Sequence, residues 1–194
     1  MKRPAILILV SLLLAACSAS PPQPLQLYQL SPQGAVQAGA SLPVAVGLGP
    51  MKWPDYLTRR GLITRLDDNR LEVADSERWA EPLEAAFERV LRDNLVRRSS
   101  PSRLLAWPWS LTEAPAIQVP LEVLQFDASA QGEVVLRVRW RIVSREKQAL
   151  AAERSSEYRV KVAGRGATAS VAAHSEALAR LSEDIAGALQ TMRP

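Results

Sequence analysis

The chain has 194 residues, with 24 basic side chains against 20 acidic, one cysteine and one histidine. That length suits a single domain with its own hydrophobic core. One cysteine excludes an internal disulfide, one histidine gives no basis for a histidine-built metal centre, and a formal charge of +4 gives no ground for nucleic-acid binding.

Residues 1–16 read as a lipoprotein signal peptide. Lys2 and Arg3 make a positive start, Ala5–Leu14 forms an apolar run, and Leu14-Ala15-Ala16-Cys17 is a lipobox. The apolar stretch, ten residues to Leu14 and twelve with Ala15-Ala16, is short of the roughly 20 that span a bilayer, so it reads as a processed leader and not as a structural helix. Two small residues suit a lipoprotein signal peptidase, and Cys17 supplies the only thiol able to carry a diacylglyceryl chain. Cleavage before Cys17 leaves 178 residues and removes Lys2 and Arg3, which lowers the formal charge to +2. Ser18 in place of aspartate favours the outer over the inner membrane, with the domain on the periplasmic side. Residues 17–27 are then the acylated cysteine and a Pro-rich tether, SASPPQP over 18–24. A single periplasmic domain is expected over 28–194.

Alternation at Val44, Val46 and Leu48 predicts a strand ended by Gly49-Pro50. Residues 51–61 form a loop carrying Trp53, Tyr56 and Leu57. Short strands over 62–66 and 70–73 follow, joined by a turn at Asp67-Asp68-Asn69. The spacing of Trp79, Leu83, Phe87, Val90, Leu91 and Leu95 predicts a helix over 78–96 with Pro82 in its first turn. Asp75, Glu77 and Glu81 suit the positive start of that helix, and Arg97-Arg98 its negative end. A strand over 104–107 and an irregular stretch over 108–115 come next. Ile117, Val119, Leu121 and Val123 alternate, then the phase slips at Leu124 and Phe126, which reads as a β-bulge. Pro120 implies a free side to that strand.

Residues 133–143 give the clearest strand, with Leu136, Val138, Trp140 and Ile142 on one face and Arg137, Arg139 and Arg141 on the other. A turn at 144–148 leads into a partner strand over 150–162 that points Ala152, Tyr158, Val160 and Val162 inward. Folding this hairpin about Glu146 sets Glu153 opposite Arg139, with Glu157 on the same face. A last helix over 169–189 carries a stripe of Val171, His174, Leu178, Leu181, Ile185 and Leu189. Long hairpins in the order strands, helix, strands, helix predict an α+β fold: an antiparallel or mixed β-sheet with two helices packed on one face.

The residue types needed for catalysis are sparse. His174 lies on a helix stripe with no ligand at metal spacing and reads as a core side chain. No serine sits in a G-x-S-x-G turn, and Gly47-Leu48-Gly49-Pro50 lacks the helix and Lys-Ser/Thr of a phosphate loop. The pattern points to a binding or structural protein with no catalytic residues, no metal and no cofactor.

Two features stand out. The loop of Trp53, Pro54, Tyr56, Leu57, Arg59 and Arg60 combines aromatics and arginine as protein interfaces do. It reads equally as a cover folded over one end of the sheet. Trp107 and Trp109 around Pro108 are a similar pair for which packing is the favoured reading. The row Arg137, Arg139 and Arg141 reads either as a cradle for anionic head groups or as a solvated face paired with glutamates, the second being favoured.

Tyr28-Gln29-Leu30, Val46-Gly47-Leu48-Gly49-Pro50 and Pro54-Asp55-Tyr56-Leu57, in that order and spacing, resemble the ABC-type transport auxiliary lipoproteins of the PqiC (YmbA) type. Ile63-Thr64-Arg65, Asn69-Arg70-Leu71, Arg78-Trp79-Ala80-Glu81-Pro82-Leu83, Arg89-Val90-Leu91 and Asn94-Leu95 extend the resemblance. It covers the mature domain, with its specific motifs in the first half. Trp53 stands where that family often has leucine, and Thr58-Arg59-Arg60-Gly61 where Asp-Arg-Pro-Gln is common.

The resemblance implies a non-enzymatic subunit of an intermembrane lipid transport system. Its partner would be an MCE-domain protein forming a periplasmic lipid tube, which the lipoprotein docks to the outer membrane, in one form as a homo-oligomeric ring. The alternative is a carrier that holds an acyl chain in its own cavity.

Overall fold

The computed structural model describes residues 23–34, 42–110, 112–144 and 153–191. The signal peptide, Cys17, residues 18–22 of the expected tether, and residues 145–152, which hold most of the expected turn and Ala152, lie outside the described residues.

The strands are β1 (Gln26–Tyr28), β2 (Leu42–Lys52), β3 (Gly61–Arg65), β4 (Leu71–Trp79), β5 (Pro101–Ala106), β6 (Ile117–Ser129), β7 (Glu133–Trp140), β8 (Val143–Ser144) and β9 (Arg154–Lys161). The helices are α1 (Leu83–Ser99) and α2 (Gly166–Thr191), and a 3₁₀ turn occupies Asp55–Thr58. The strands form one mixed sheet in the order β1-β4-β3-β6-β2-β5, with β7 and β8 on the other side of β6 and β9 beyond β7. α1 packs on β2 and β5, α2 packs on β6, β7 and β9, and the helices pack on each other. This is the α+β architecture expected, with both helices on one face.

The helices form where the stripes predict. Leu83, Phe87, Val90, Leu91 and Leu95 of α1 are all buried, as are Val171, His174, Leu178, Leu181, Ile185 and Leu189 of α2. α1 stops at Ser100, which takes a left-handed conformation at φ 38 and returns its N–H to the Val96 carbonyl at 3.2 Å. Its start differs from the expected Arg78. The N–H of Trp79 donates to Arg60 O and that of Ala80 to Tyr28 O, each at 2.8 Å, so these residues belong to the sheet. Pro82 therefore stands just before the helix, and Trp79 is buried from the end of β4.

β2 does not end at Gly49-Pro50. It shifts register there and runs on to Lys52. Gly49 sits at φ +113, and a Cβ on it would lie 2.7 Å from Trp107 Cβ, so the irregular step needs glycine. The bulge in β6 falls between Val123 and Gln125, as the phase slip predicts.

Pro120 has no free edge beside it, because β6 is paired on both sides. It faces the register shift of β2 on one side and the gap between β7 and β8 on the other, where no ladder N–H is required of it.

The β7–β9 hairpin is displaced by two residues from the expected pairing. Arg139 faces Ser155 and Arg137 faces Glu157, while Glu153 lines an open groove with Arg139 and Arg141. A shift of two changes the partners but preserves every side chain's face, so Leu136 pairs with Tyr158 and Val134 with Val160 on the core side.

Candidate functional site

The interface candidate lies in a gap of the sheet. β2 accompanies β6 as far as Glu122, and β3 rejoins it only at Ala128. Residues 123–127 of β6 thus have no strand on that edge. The chain from Trp53 to Arg60 crosses the gap, tightened by the 3₁₀ turn, in which Leu57 N–H donates to Pro54 O at 3.0 Å and Thr58 Oγ1 to Asp55 O at 2.7 Å.

On the helix side, Trp53 meets Phe87 edge-on with ring centroids 5.1 Å apart. Phe87 meets Phe126 at 5.5 Å, Phe126 meets His174 at 4.9 Å, and His174 meets Trp79 at 5.5 Å. These edge-to-face contacts join the loop, both helices and the sheet in one aromatic chain. Leu57 is fully buried beside it. Trp53 Nε1 is enclosed without a hydrogen-bond partner. His174 Nδ1 donates to Ser170 O at 2.8 Å, and burial lowers its pKa to about 4 against that bond, so the imidazole is neutral near pH 7.

On the helix-free side, the loop is fastened to Asp127. This carboxylate is buried and accepts from Tyr56 Oη at 2.7 Å, Arg65 Nη2 at 2.9 Å and Gln125 Nε2 at 2.7 Å. The Arg65 guanidinium also lies 5.7 Å from the centre of the Tyr56 ring. Burial and the bond to Asp127 raise the Tyr56 pKa, which keeps it a phenol and a donor. The bond to Asp127 raises that of Arg65. With its oxygens committed to three donors, Asp127 acts as an anchor for the loop.

The six candidate residues therefore divide. Trp53, Tyr56 and Leu57 fix the loop from within, and Pro54 is half-buried between them. Arg59 and Arg60 are exposed, as are Asp55 and Thr58, and neither arginine joins an ion pair among the described residues. Asp127, Gln125 and Arg65 are absent from the sequence-based candidates. The signal was a carboxylate within the otherwise uncharged run Val123–Ala128.

Trp107 and Trp109 touch edge-to-face at 4.9 Å. Trp109 covers Gly47, where a Cβ would come within 2.7 Å of its ring, but Trp107 stays 48 % exposed, so packing accounts for only one of the pair. The arginine row is solvated. Arg139 pairs with Glu122 at 3.4 Å, and the Glu157 opposite Arg137 binds Arg159 at 2.6 Å. Among the described residues, no group of three or more His, Cys, Asp or Glu is placed to hold a metal ion, and no helix is long and apolar enough to cross a membrane.

A family model for the ABC-type transport auxiliary lipoprotein component matches residues 28–186. The chain belongs to that family. Its fold is also that of two crystal structures. An uncharacterized protein superimposes with a TM-score of 0.70 at 20 % identity, covering 86 % of this chain and 99 % of its own. A protein from Xanthomonas campestris does so with a TM-score of 0.70 at 13 % identity, covering 86 % and 95 %. No curated protein matches the chain in sequence. As a transport auxiliary lipoprotein, the chain serves an ABC-type transporter.

Proposed function

We propose that this auxiliary lipoprotein is a non-enzymatic docking subunit, anchored through Cys17 to the periplasmic face of the outer membrane, that holds the MCE-domain tube of an intermembrane phospholipid transport system. The observation that carries the reading is the fixed loop at Trp53–Arg60. Its aromatic side is locked to Phe87 at 5.1 Å and its tyrosine to Asp127 at 2.7 Å, so Asp55, Thr58, Arg59 and Arg60 project from an ordered backbone. An interface built in this way loses little conformational entropy when a partner docks. Confinement by a lipid anchor raises the effective concentration of such a surface for a tube arriving at the membrane.

A carrier would need room for an acyl chain between sheet and helices. Val90, Leu91, Phe126, Leu136, Leu178 and Leu181 fill that layer at 0–1 % exposure, which favours docking over carriage. Charge reversal at Arg59→Glu and Arg60→Glu should abolish co-purification of the MCE-domain protein while leaving thermal unfolding unchanged. Undiminished co-purification would remove this loop as the docking surface.

A further inference from the structure

The β1 edge of the sheet carries apolar side chains that stand exposed among the described residues. β1 is the outermost strand, and among the described residues nothing pairs with its far side. Leu25 is 56 % exposed, Leu27 61 % and Val73 44 %. They form one patch. Leu27 is in register with Arg78, and Arg78 with Gly61. A Cβ on Gly61 would lie 2.5 Å from Val73 Cγ1, which puts Val73 on the same side of the sheet. Leu25 lines an open groove with Gln23, Asp75, Ser76 and Arg78. Arg78 is exposed and donates through Nε to Asp75 O at 3.1 Å. Its guanidinium joins no ion pair among the described residues.

The length of the preceding chain says what covers this patch. Residues 18–22 are all that separate Cys17 from Gln23. At roughly 3.3–3.6 Å per residue, Gln23 cannot stand more than about 20 Å from an acylated Cys17, and Gln23 lines the same groove as Leu25.

We infer that the β1–β4 edge rests on the phospholipid surface, with Leu25, Leu27 and Val73 in the head-group layer and Arg78 against lipid phosphate. This inference rests on the acylation of Cys17 in the reading above and goes beyond it by fixing which edge faces the bilayer. Exposed leucines beside an arginine suit an interface whose inner part is apolar and whose outer part carries phosphate. The opposite edges, β5 and β9, then point away from the membrane, and the tether holds the domain in one orientation.

The test uses the full acylated chain in vesicles of phosphatidylethanolamine and phosphatidylglycerol. Because acylation consumes the only native thiol, Leu25→Cys, Leu27→Cys and Val73→Cys each offer a unique site for a nitroxide. Arg103→Cys and Lys161→Cys on the far edges serve as references. Labels at 25, 27 and 73 should favour oxygen over a water-soluble nickel chelate several-fold more than labels at 103 and 161. Equal nickel access at all five positions would overturn the inference while leaving the anchor intact. Spin–spin broadening between labels at 27 would overturn it in favour of a second copy on this edge. Labelling of the unsubstituted protein at Cys17 would instead show the anchor itself to be missing, a separate failure that removes the basis for both readings.

Discussion

Tyr56 donates its phenolic hydrogen to Asp127 at 2.7 Å across 71 positions of sequence, and through this bond a surface loop becomes part of the sheet. The loop lies where β6 has lost one strand neighbour and not yet gained the next. Trp53 closes the gap from the helix side and Tyr56 from the other.

Tyr56→Phe keeps the ring and removes the donor. A hydrogen bond to a charged group is worth about 1.5–3 kcal/mol, so chemical denaturation should show a loss in that range. Asp127→Asn should cost at least as much, because Arg65 loses its counter-charge. A loss below about 0.5 kcal/mol for both variants, the level of ordinary surface changes, would mean that the triad does not anchor the loop.

Trp53→Ala should destabilise the domain by about 3 kcal/mol, the lower end for core aromatics, since its ring is only partly buried. Arg59→Ala and Arg60→Ala should stay within about 0.5 kcal/mol of the parent. Thermal melts of the three variants check the division of this loop into an inner and an outer side. A Trp53 variant with an unchanged melting temperature would contradict it.

His174 makes stability pH-dependent. Its pKa falls from 6.5 unfolded to about 4 in the fold, chiefly through burial. Above pH 6.5 both states are neutral at this residue and it contributes no slope. As pH falls from 6.5 towards 4 the unfolded chain takes up a proton that the folded one refuses, so stability drops, by about 3 kcal/mol in all at 1.36 kcal/mol per pKa unit. His174→Leu should flatten urea midpoints over this window, whatever its effect at pH 8. An unaltered acid slope would place the titration elsewhere.

Much of the fold is legible in the sequence because its signals are local. The stripes of α1 and α2, the alternation of Leu136, Val138 and Trp140, and the phase slip at Leu124 all reflect which side of one element is buried. The start of α1 misleads for the same reason. Asp75, Glu77 and Glu81 look like an acidic helix start, whereas backbone bonds from Trp79 and Ala80 to distant Arg60 and Tyr28 keep that stretch in the sheet. The expected β7–β9 register, with Glu153 opposite Arg139, misses by two residues because such a shift leaves every face unchanged. At the site, the aromatic and arginine content of 53–60 was visible, but the sorting of its side chains depends on Phe87 and Asp127, remote in sequence, with Arg65 on the next strand.

A second polar anchor ties the N-terminal segment to the helices. Asn94 is fully buried, accepts the Gln33 N–H at 2.9 Å and donates to Ser182 Oγ at 3.2 Å. Asn94→Ala leaves the Gln33 N–H without its acceptor, while Ser182 Oγ keeps its bond to Leu178 O at 2.7 Å, with an expected cost of about 1–3 kcal/mol. Hydrogen exchange at Gln33 should quicken in the variant, and protection equal to the parent would show that this contact does not hold the segment.

The most direct test of the docking role is photo-crosslinking in living cells from a probe at Arg59, an exposed position on the fixed loop. Mass spectrometry of the adduct should identify an MCE-domain protein. Adducts only with other copies of this chain, or none from a probe that solvent reaches, would contradict the docking role assigned to this surface.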